Sequence, residues 1–219
     1  ADLPVQAEGR TGPETGKDPE KTGNSEGRTD TPVIEIKDLC HRYPHLEANA
    51  LDRINLRIYR GERVAVLGAN GAGKSTLFKH LNGILRPLSG EVLVKGEKIT
   101  KKNVRMCRGT VGIVFQDPDD QVLAPSVEED VAFGPINMGL SREEVKMRVK
   151  EALEMVGLNG FEERAPHHLS GGQKKLVAIA GILAMRPEVI VLDEPTAGLD
   201  PLSSARVLKL ITKMNRELG

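Results

Sequence analysis

No tryptophan occurs among the 219 residues, and there are only two tyrosines, four phenylalanines and two cysteines. With so few rings, any aromatic near a motif becomes a candidate for stacking on a ligand. Cys40 and Cys107 lie in unrelated contexts, which excludes a disulfide framework and reads as reduced thiols in a cytosolic protein. An excess of either charge is missing as well. Thirty-one basic residues balance thirty-one acidic ones, so no global field draws the chain to nucleic acid or to an anionic membrane, and no nucleic-acid partner is expected. The longest apolar run, Leu176 to Met185, falls far short of the ~20 residues that a membrane-spanning helix needs. A soluble chain is expected, with any membrane role coming through a partner. No charged-then-apolar leader opens the sequence, which argues against export.

What is present suffices for a packed core: 39% of the residues are hydrophobic, and the length suits one medium domain with an appended subdomain. Ala1 to Thr31 is poor in apolar residues beyond Leu3 and Val5, so a flexible tail is expected there, ahead of a domain over 32–219. Its acids (Asp2, Glu8, Glu14, Asp18, Glu20, Glu26, Asp30) outnumber its bases (Arg10, Lys17, Lys21, Arg28). Val33 to Ile36 predicts a strand, and Ile54 to Ile58 alternates as a half-buried strand does. Val64 to Leu67, Val111 to Phe115 and Val189 to Leu192 are continuous apolar runs, which predict fully buried strands. Helices are predicted over Lys74 to Leu81, from a capping box at Ser141 to Glu144 until Gly157, over Gln173 to Met185, and after Asp200-Pro201 with the stripe Val207, Ile211, Met214 and Leu218. Alternating strands and helices indicate an α/β fold with a largely parallel sheet, interrupted by a helical subdomain over about 117–166.

Three motifs carry chemistry. Gly68-Ala69-Asn70-Gly71-Ala72-Gly73-Lys74-Ser75-Thr76 fits the loop that cradles nucleotide phosphates, between an apolar strand and a helix as that loop requires. Its glycines let successive N–H groups face one anion, Lys74 neutralises charge on the β- and γ-phosphates, Ser75 completes a Mg²⁺ shell, and Thr76 is placed for the α-phosphate. Asp193 and Glu194 follow the run Val189 to Leu192, so two carboxylates stand at a strand end, where open parallel sheets bind ligands. Asp193 suits Mg²⁺ ligation and Glu194 suits polarising an attacking water. Leu169-Ser170-Gly171-Gly172-Gln173 precedes a helix and forms a second anion-binding nest, or else a plain helix cap.

Taken in this order, the motifs resemble those of ATP-binding cassette (ABC) ATPases, from about Thr31 to Gly219. The resemblance implies a P-loop fold with a mostly parallel core sheet, an antiparallel β subdomain and an inserted helical subdomain. It also implies ATP and Mg²⁺ as ligands, and a second such subunit, identical or not, whose Ser170, Gly171, Gly172 and Gln173 would face the first subunit's nucleotide. Gln116 resembles the glutamine that senses Mg²⁺ and the reacting water, Ala197-Gly198-Leu199-Asp200 resembles the dimer-contacting loop, and Tyr43 stands where this family places a ring on adenine. Phe115 to Gln121, continuing through Val127 to Pro135, is similar to the ATPases of energy-coupling factor importers, particularly the cobalt and nickel type. That narrower resemblance implies a peripheral place on the cytoplasmic face of the membrane. The partners would be a transmembrane scaffold and a substrate-binding membrane component, with cobalt or nickel as cargo. A vitamin importer and a soluble non-transport ABC ATPase are the alternatives.

Two departures stand out. Lys175-Leu176 occupies a place where many relatives carry a basic or polar residue followed by arginine. The sequence also stops at Gly219, ahead of the switch histidine of relatives, and lacks an initiator Met, so a processed or partial chain with poor turnover is expected. None of His41, His45, His80, His167 or His168 replaces that histidine by order, and the adjacent pair His167-His168 lacks the further ligands of a metal site.

Overall fold

The computed structural model describes residues 5–6, 31–44 and 46–218. The tail expected over Ala1 to Thr31 lies outside the described residues except for Val5, Gln6 and Thr31. The chain divides into two units, one built from the described part of Ala1–Lys74 with Pro87–Lys98, the other from Ser75–Arg86 and the residues from Ile99 onward.

The first unit carries β1 (Val5–Gln6), β2 (Ile34–His41), β3 (Leu51–Ile58), β4 (Ala65–Val66), and, after an excursion, β5 (Ser89–Val94) and β6 (Glu97–Lys98). Four of these form an antiparallel sheet in the order β3-β2-β5-β6. Its buried side is made by Ile34, Ile36, Leu39, Leu51, Val92 and Val94. On the other side Glu35 pairs with Arg57 at 2.8 Å and Lys37 at 3.2 Å, and these cations hold its carboxyl below the usual range, Arg57 most. Val64 to Leu67 departs from expectation. Only Ala65–Val66 is strand, its partner is β1 in antiparallel register, and Leu67 is 57% exposed. An apolar run predicts burial only if other elements cover it, and within this unit a two-residue partner covers little of this one.

The second unit begins inside α1 (Lys74–Leu81) and continues with α2 (Val104–Thr110), β7 (Val111–Val114), α3 (Val127–Asn137), α4 (Arg142–Val156), α5 (Gly171–Ala184), β8 (Val189–Leu192) and α6 (Pro201–Leu218). Strands β7 and β8 pair in parallel, Val111 opposite Val189 through Val114 opposite Leu192. All four residues of β7 are buried, but in β8 only Val191 is, so the expectation of a second fully buried strand is corrected: among the described residues β8 has a single neighbour. Helix α5 is the centre of the core. Val177, Ala178, Ile179 and Ala180 are at most 2% exposed, and α3, α4 and α6 pack around them, with Val131, Val149, Leu153 and Val207 in the same cluster.

Two local expectations change in detail. Ser141 caps α4 by accepting from the Glu144 N–H at 3.2 Å, but the Glu144 carboxylate turns to Arg148 at 2.6 Å, so only half of the expected capping box forms. In α6 the buried stripe is Val207, Leu210 and Met214, with Ile211 packed at its edge. Helix α2 was not foreseen. Its sequence mixes β-branched residues with Gly109, and Asn103 ahead of it bonds back to Thr100 instead of capping it.

Candidate nucleotide site

In the first unit the phosphate loop leaves β4 and enters α1. Gly71 and Gly73 have φ of 81° and 94°, a region open to glycine and strained for other residues. Gly73 has a second reason: a Cβ there would stand 2.4 Å from the Ala50 carbonyl oxygen. The Ala50 N–H in turn donates to the His41 carbonyl at 2.8 Å, so the loop rests on the base of the β2–β3 hairpin that carries Tyr43. Tyr43 is half-buried, with its ring edge-on to His41 at 4.8 Å between centroids. The Lys74 ammonium folds back over the loop, donating to the Gly68 carbonyl at 2.9 Å and the Ala69 carbonyl at 3.2 Å. Ala69, Asn70 and Gly71 are exposed, leaving the loop's rim open to a ligand.

In the second unit the parallel pair sends two chain segments out of the same carboxyl end. The Asp193 N–H still bonds to the Val114 carbonyl at 3.0 Å, and the chains part just beyond. Gln116 and Glu194 then meet, the glutamine amide donating to the carboxylate at 3.1 Å. Glu194 has φ of 43°, a left-handed conformation that costs about 1–3 kcal/mol in a residue with a Cβ. Asp193 is 5% exposed, and its Oδ1 has no hydrogen-bond partner. A buried carboxylate oxygen without a proton donor is costly unless a cation completes it. The Asp193 carboxylate therefore fits Mg²⁺. Ser75 is half-buried at the start of this unit's share of α1, and Thr76 beside it is buried, its carbonyl 2.8 Å from His80 Nδ1.

The third motif forms a complete capping box. Ser170 Oγ accepts from the Gln173 N–H at 3.3 Å, and Gln173 Oε1 accepts from the Ser170 N–H at 2.9 Å. The Gln173 side chain is thus spent on holding Ser170, while Ser170 and Gly171 are exposed at the helix start. Gly172 is confined from the other side, since a Cβ there would meet Ser203 Oγ at 2.6 Å. Asp200 caps α6 by accepting from the Leu202 and Ser203 N–H groups at 2.9 and 3.1 Å. Bonds from Ser203, side chain first and then backbone, hold the Asp200 carboxyl below the usual aspartate range. His167 and His168 pack edge to face, 4.1 Å between ring centroids.

Sequence reasoning missed what fixes the segment after Gln116. Gln121 imitates a neighbouring strand, its amide accepting from the Phe115 N–H at 3.1 Å and donating to the Ile113 carbonyl at 3.2 Å. Asp117 starts a short 3-10 helix, Pro118–Asp120, by accepting from the Asp119 N–H at 2.9 Å. Asp130 accepts from the Leu123 and Ala124 N–H groups at 2.9 and 3.1 Å. Also missed was Lys175, which is 0% exposed and donates to the carbonyls of Phe115 and Gln116 at 2.9 and 2.5 Å. Burial pushes its pKa down, while the charges of Asp117 and Asp193 oppose that shift.

Residues 51–197 match the ABC transporter family model. Among curated proteins, a putative ABC transporter ATP-binding protein of Methanosarcina mazei is 99% identical over the whole of this chain and 67% of its own length. The energy-coupling factor transporter ATP-binding protein EcfA of Methanocaldococcus jannaschii is 62% identical, over 84% of this chain and 67% of its own. Among solved structures, CbiO1 from Clostridium perfringens, described as part of the ABC transporter complex CbiONQ, superposes with a TM-score of 0.76 at 46% identity, covering 86% of this chain and 76% of that one. The first curated relatives are matched over 61 to 67% of their own length. The chain belongs to the ABC transporter ATPases, the P-loop class that binds and hydrolyses ATP. Within that class it is of the energy-coupling factor type, similar to EcfA and CbiO1.

Proposed function

We propose that this chain is the ATP-hydrolysing subunit of an energy-coupling factor importer, acting as one of two cassettes on the cytoplasmic face of the membrane and energising uptake of cobalt or nickel. The observation that carries the chemistry is the Gln116 amide bonded to the Glu194 carboxylate at the carboxyl end of the parallel strands. Glu194 takes the proton of the attacking water, and Gln116 orients that carboxylate and the water beside it. The loop Gly68 to Lys74 holds the phosphates through its N–H groups and the Lys74 ammonium, Thr76 serves the α-phosphate, and Tyr43 offers a ring for adenine. Asp193, Ser75 and Gln116 would hold Mg²⁺, which supplies charge neutralisation on the β- and γ-phosphates. Ser170, Gly171 and Gly172 serve the nucleotide of the second cassette, and Gln173 keeps Ser170 in place for it.

Support for a membrane partner comes from the helical insertion. Leu123, Phe133 and Ile136 are 77%, 70% and 60% exposed, and Phe133 and Ile136 stand one turn apart on α3. Large exposed apolar side chains one turn apart on a helix mark an interaction surface, and the pair on α3 fits a short helix of a transmembrane scaffold. The choice of metal rests on the likeness of 115–121 and 127–135 to the cobalt and nickel ATPases and on the CbiO1 neighbour. Co-expression with the membrane components, followed by purification and uptake assays with Co²⁺, Ni²⁺ and vitamins, tests it. Uptake of a vitamin but of neither metal would keep the importer and replace the cargo, and failure to co-purify with any membrane protein would favour a soluble ABC ATPase.

A further inference from the structure

Lysine is among the side chains least often fully buried, and it is buried when its ammonium has fixed partners. Lys175 is such a case. It lies on the inner face of α5 with Ile179, Ile182 and Leu183, yet its ammonium bonds neither to α5 nor to a carboxylate. Both of its bonds go to backbone carbonyls of Phe115 and Gln116, about sixty residues earlier in the chain. These two residues lie just past the last rung of the parallel ladder, Val114 opposite Leu192, where the chain turns away from β8. One ammonium thus takes over where the sheet stops.

The neighbouring lysine makes a second tie. Lys174 Nζ meets Asp119 Oδ1 at 2.6 Å, on the 3-10 turn that follows Gln116. The two lysines clasp the segment 115–119 at its start and near its end, with Gln116 between them. The clasp is attached to the third motif with little slack: the Lys174 N–H donates to the Ser170 carbonyl at 2.9 Å, and Lys175 is five residues along a regular helix from Ser170, a rise of about 7.5 Å. A helix of this kind transmits displacement as a rigid element.

We propose that Lys175 is a positioning residue for Gln116, and through it for Glu194, so that the place of the signature helix sets the Gln116 amide against the catalytic carboxylate. The inference rests on the reading of Glu194 and Gln116 given above, and it adds a route by which a ligand on Ser170 and Gly171 acts on the hydrolytic residues of the same chain. Lys174 is the weaker half of the clasp, because Asp119 is largely exposed and water screens the pair. Lys175 is the stronger half, since its bonds are charge-assisted and shielded from water.

A double-mutant cycle in the full-length, turning-over protein tests this, with ATP affinity measured alongside the ATPase rate. Lys175→Met keeps the volume and removes the ammonium. It should lower kcat by roughly 10- to 100-fold, the loss expected when a reacting group is misplaced, and leave KM and ATP affinity unchanged. Gln116→Ala should lower kcat as well, and the double variant should be no slower than Gln116→Ala, because Lys175 acts through that residue. Lys175→Arg, which can still reach two carbonyls, should restore most of the rate. Losses that multiply in the double variant, or an unchanged kcat in Lys175→Met, would overturn the proposal. Glu194→Gln is the control for the underlying reading: unchanged turnover there removes both, whereas arrest there with multiplying losses removes the Lys175 proposal alone. Should Lys175→Met fail to fold, Lys175→Gln, with a neutral donor, carries the same cycle; failure of both to fold would show that Lys175 serves the fold only, and would also overturn it.

Discussion

The amide of Gln116 and the carboxylate of Glu194 are joined by a 3.1 Å hydrogen bond across 78 positions of sequence. The parallel register of β7 and β8 brings them together, because the two chains leave the sheet at the same end. A carboxylate held by a neutral donor faces a defined direction, which is what a base for water requires. Glu194→Gln should therefore keep nucleotide affinity and lower turnover by ~100-fold or more. Steady-state ATPase rates beside equilibrium binding check it, and unchanged turnover would assign the base elsewhere.

Lys74 makes a related prediction about binding. Its ammonium sits on the carbonyls of Gly68 and Ala69, over the loop proposed above to receive phosphate. Lys74→Ala removes a charge-assisted contact of about 1.5–3 kcal/mol, which is roughly a tenfold to hundredfold loss of ATP affinity. Adenosine has no phosphate and should bind the variant as it binds the parent. Equal losses for ATP and adenosine would show that the substitution disturbs the fold of the loop and not a phosphate contact.

The loop is also held by what a glycine lacks. Gly73→Ala would place a methyl group 2.4 Å from the Ala50 carbonyl and force a side chain onto a φ of 94°. A strain of about 1–3 kcal/mol is expected from the backbone alone, with the clash added to it. Thermal unfolding should show a lowered Tm, and ATP affinity should fall with it. Gly71→Ala has the same backbone strain but no neighbour within 4 Å, so its Tm should fall less.

These predictions concern residues that were legible in the sequence, and the reason is physical. A phosphate loop needs glycine, lysine and serine at fixed spacing, so Gly68 to Thr76 announce themselves without a structure. Ser170 to Gln173 reads as an anion nest or a plain helix cap, and the cap closes as a full box, whereas the box expected at Ser141 forms only by half, because Glu144 has Arg148 as a better partner. What was not legible depends on neighbours far along the chain. Leu67 and Val189 are as apolar as Val114, but exposure is decided by what covers them. Gln121 is an ordinary polar residue until Phe115 and Ile113 present it with a strand edge. Lys175 carried one faint signal, its helical phase with Ile179, Ile182 and Leu183, but in the sequence it stands out only as part of the departure Lys175-Leu176. Its partners are backbone carbonyls, which no residue type reports.

The last prediction concerns acid. Asp200 caps α6 through the Leu202 and Ser203 N–H groups, and its bonds with Ser203 lower its carboxyl from the usual 3.8. A folded-state pKa below the unfolded one means that the unfolded chain takes up its proton first as pH falls. The cap's contribution is therefore fully present above pH 3.8 and is lost as pH drops through the lower, folded value. Glu35, held down by Arg57 and Lys37, adds to the same acid limb from the usual 4.5 downward. Asp200→Asn retains an oxygen that can cap the helix but cannot titrate. Its Tm should stay close to that of the parent at neutral pH and fall less steeply below pH 4, with the remaining slope reduced further by Glu35→Gln. Melting curves of the parent and the two variants across this range decide it. An acid limb that neither substitution flattens would place the titrating groups elsewhere in the chain.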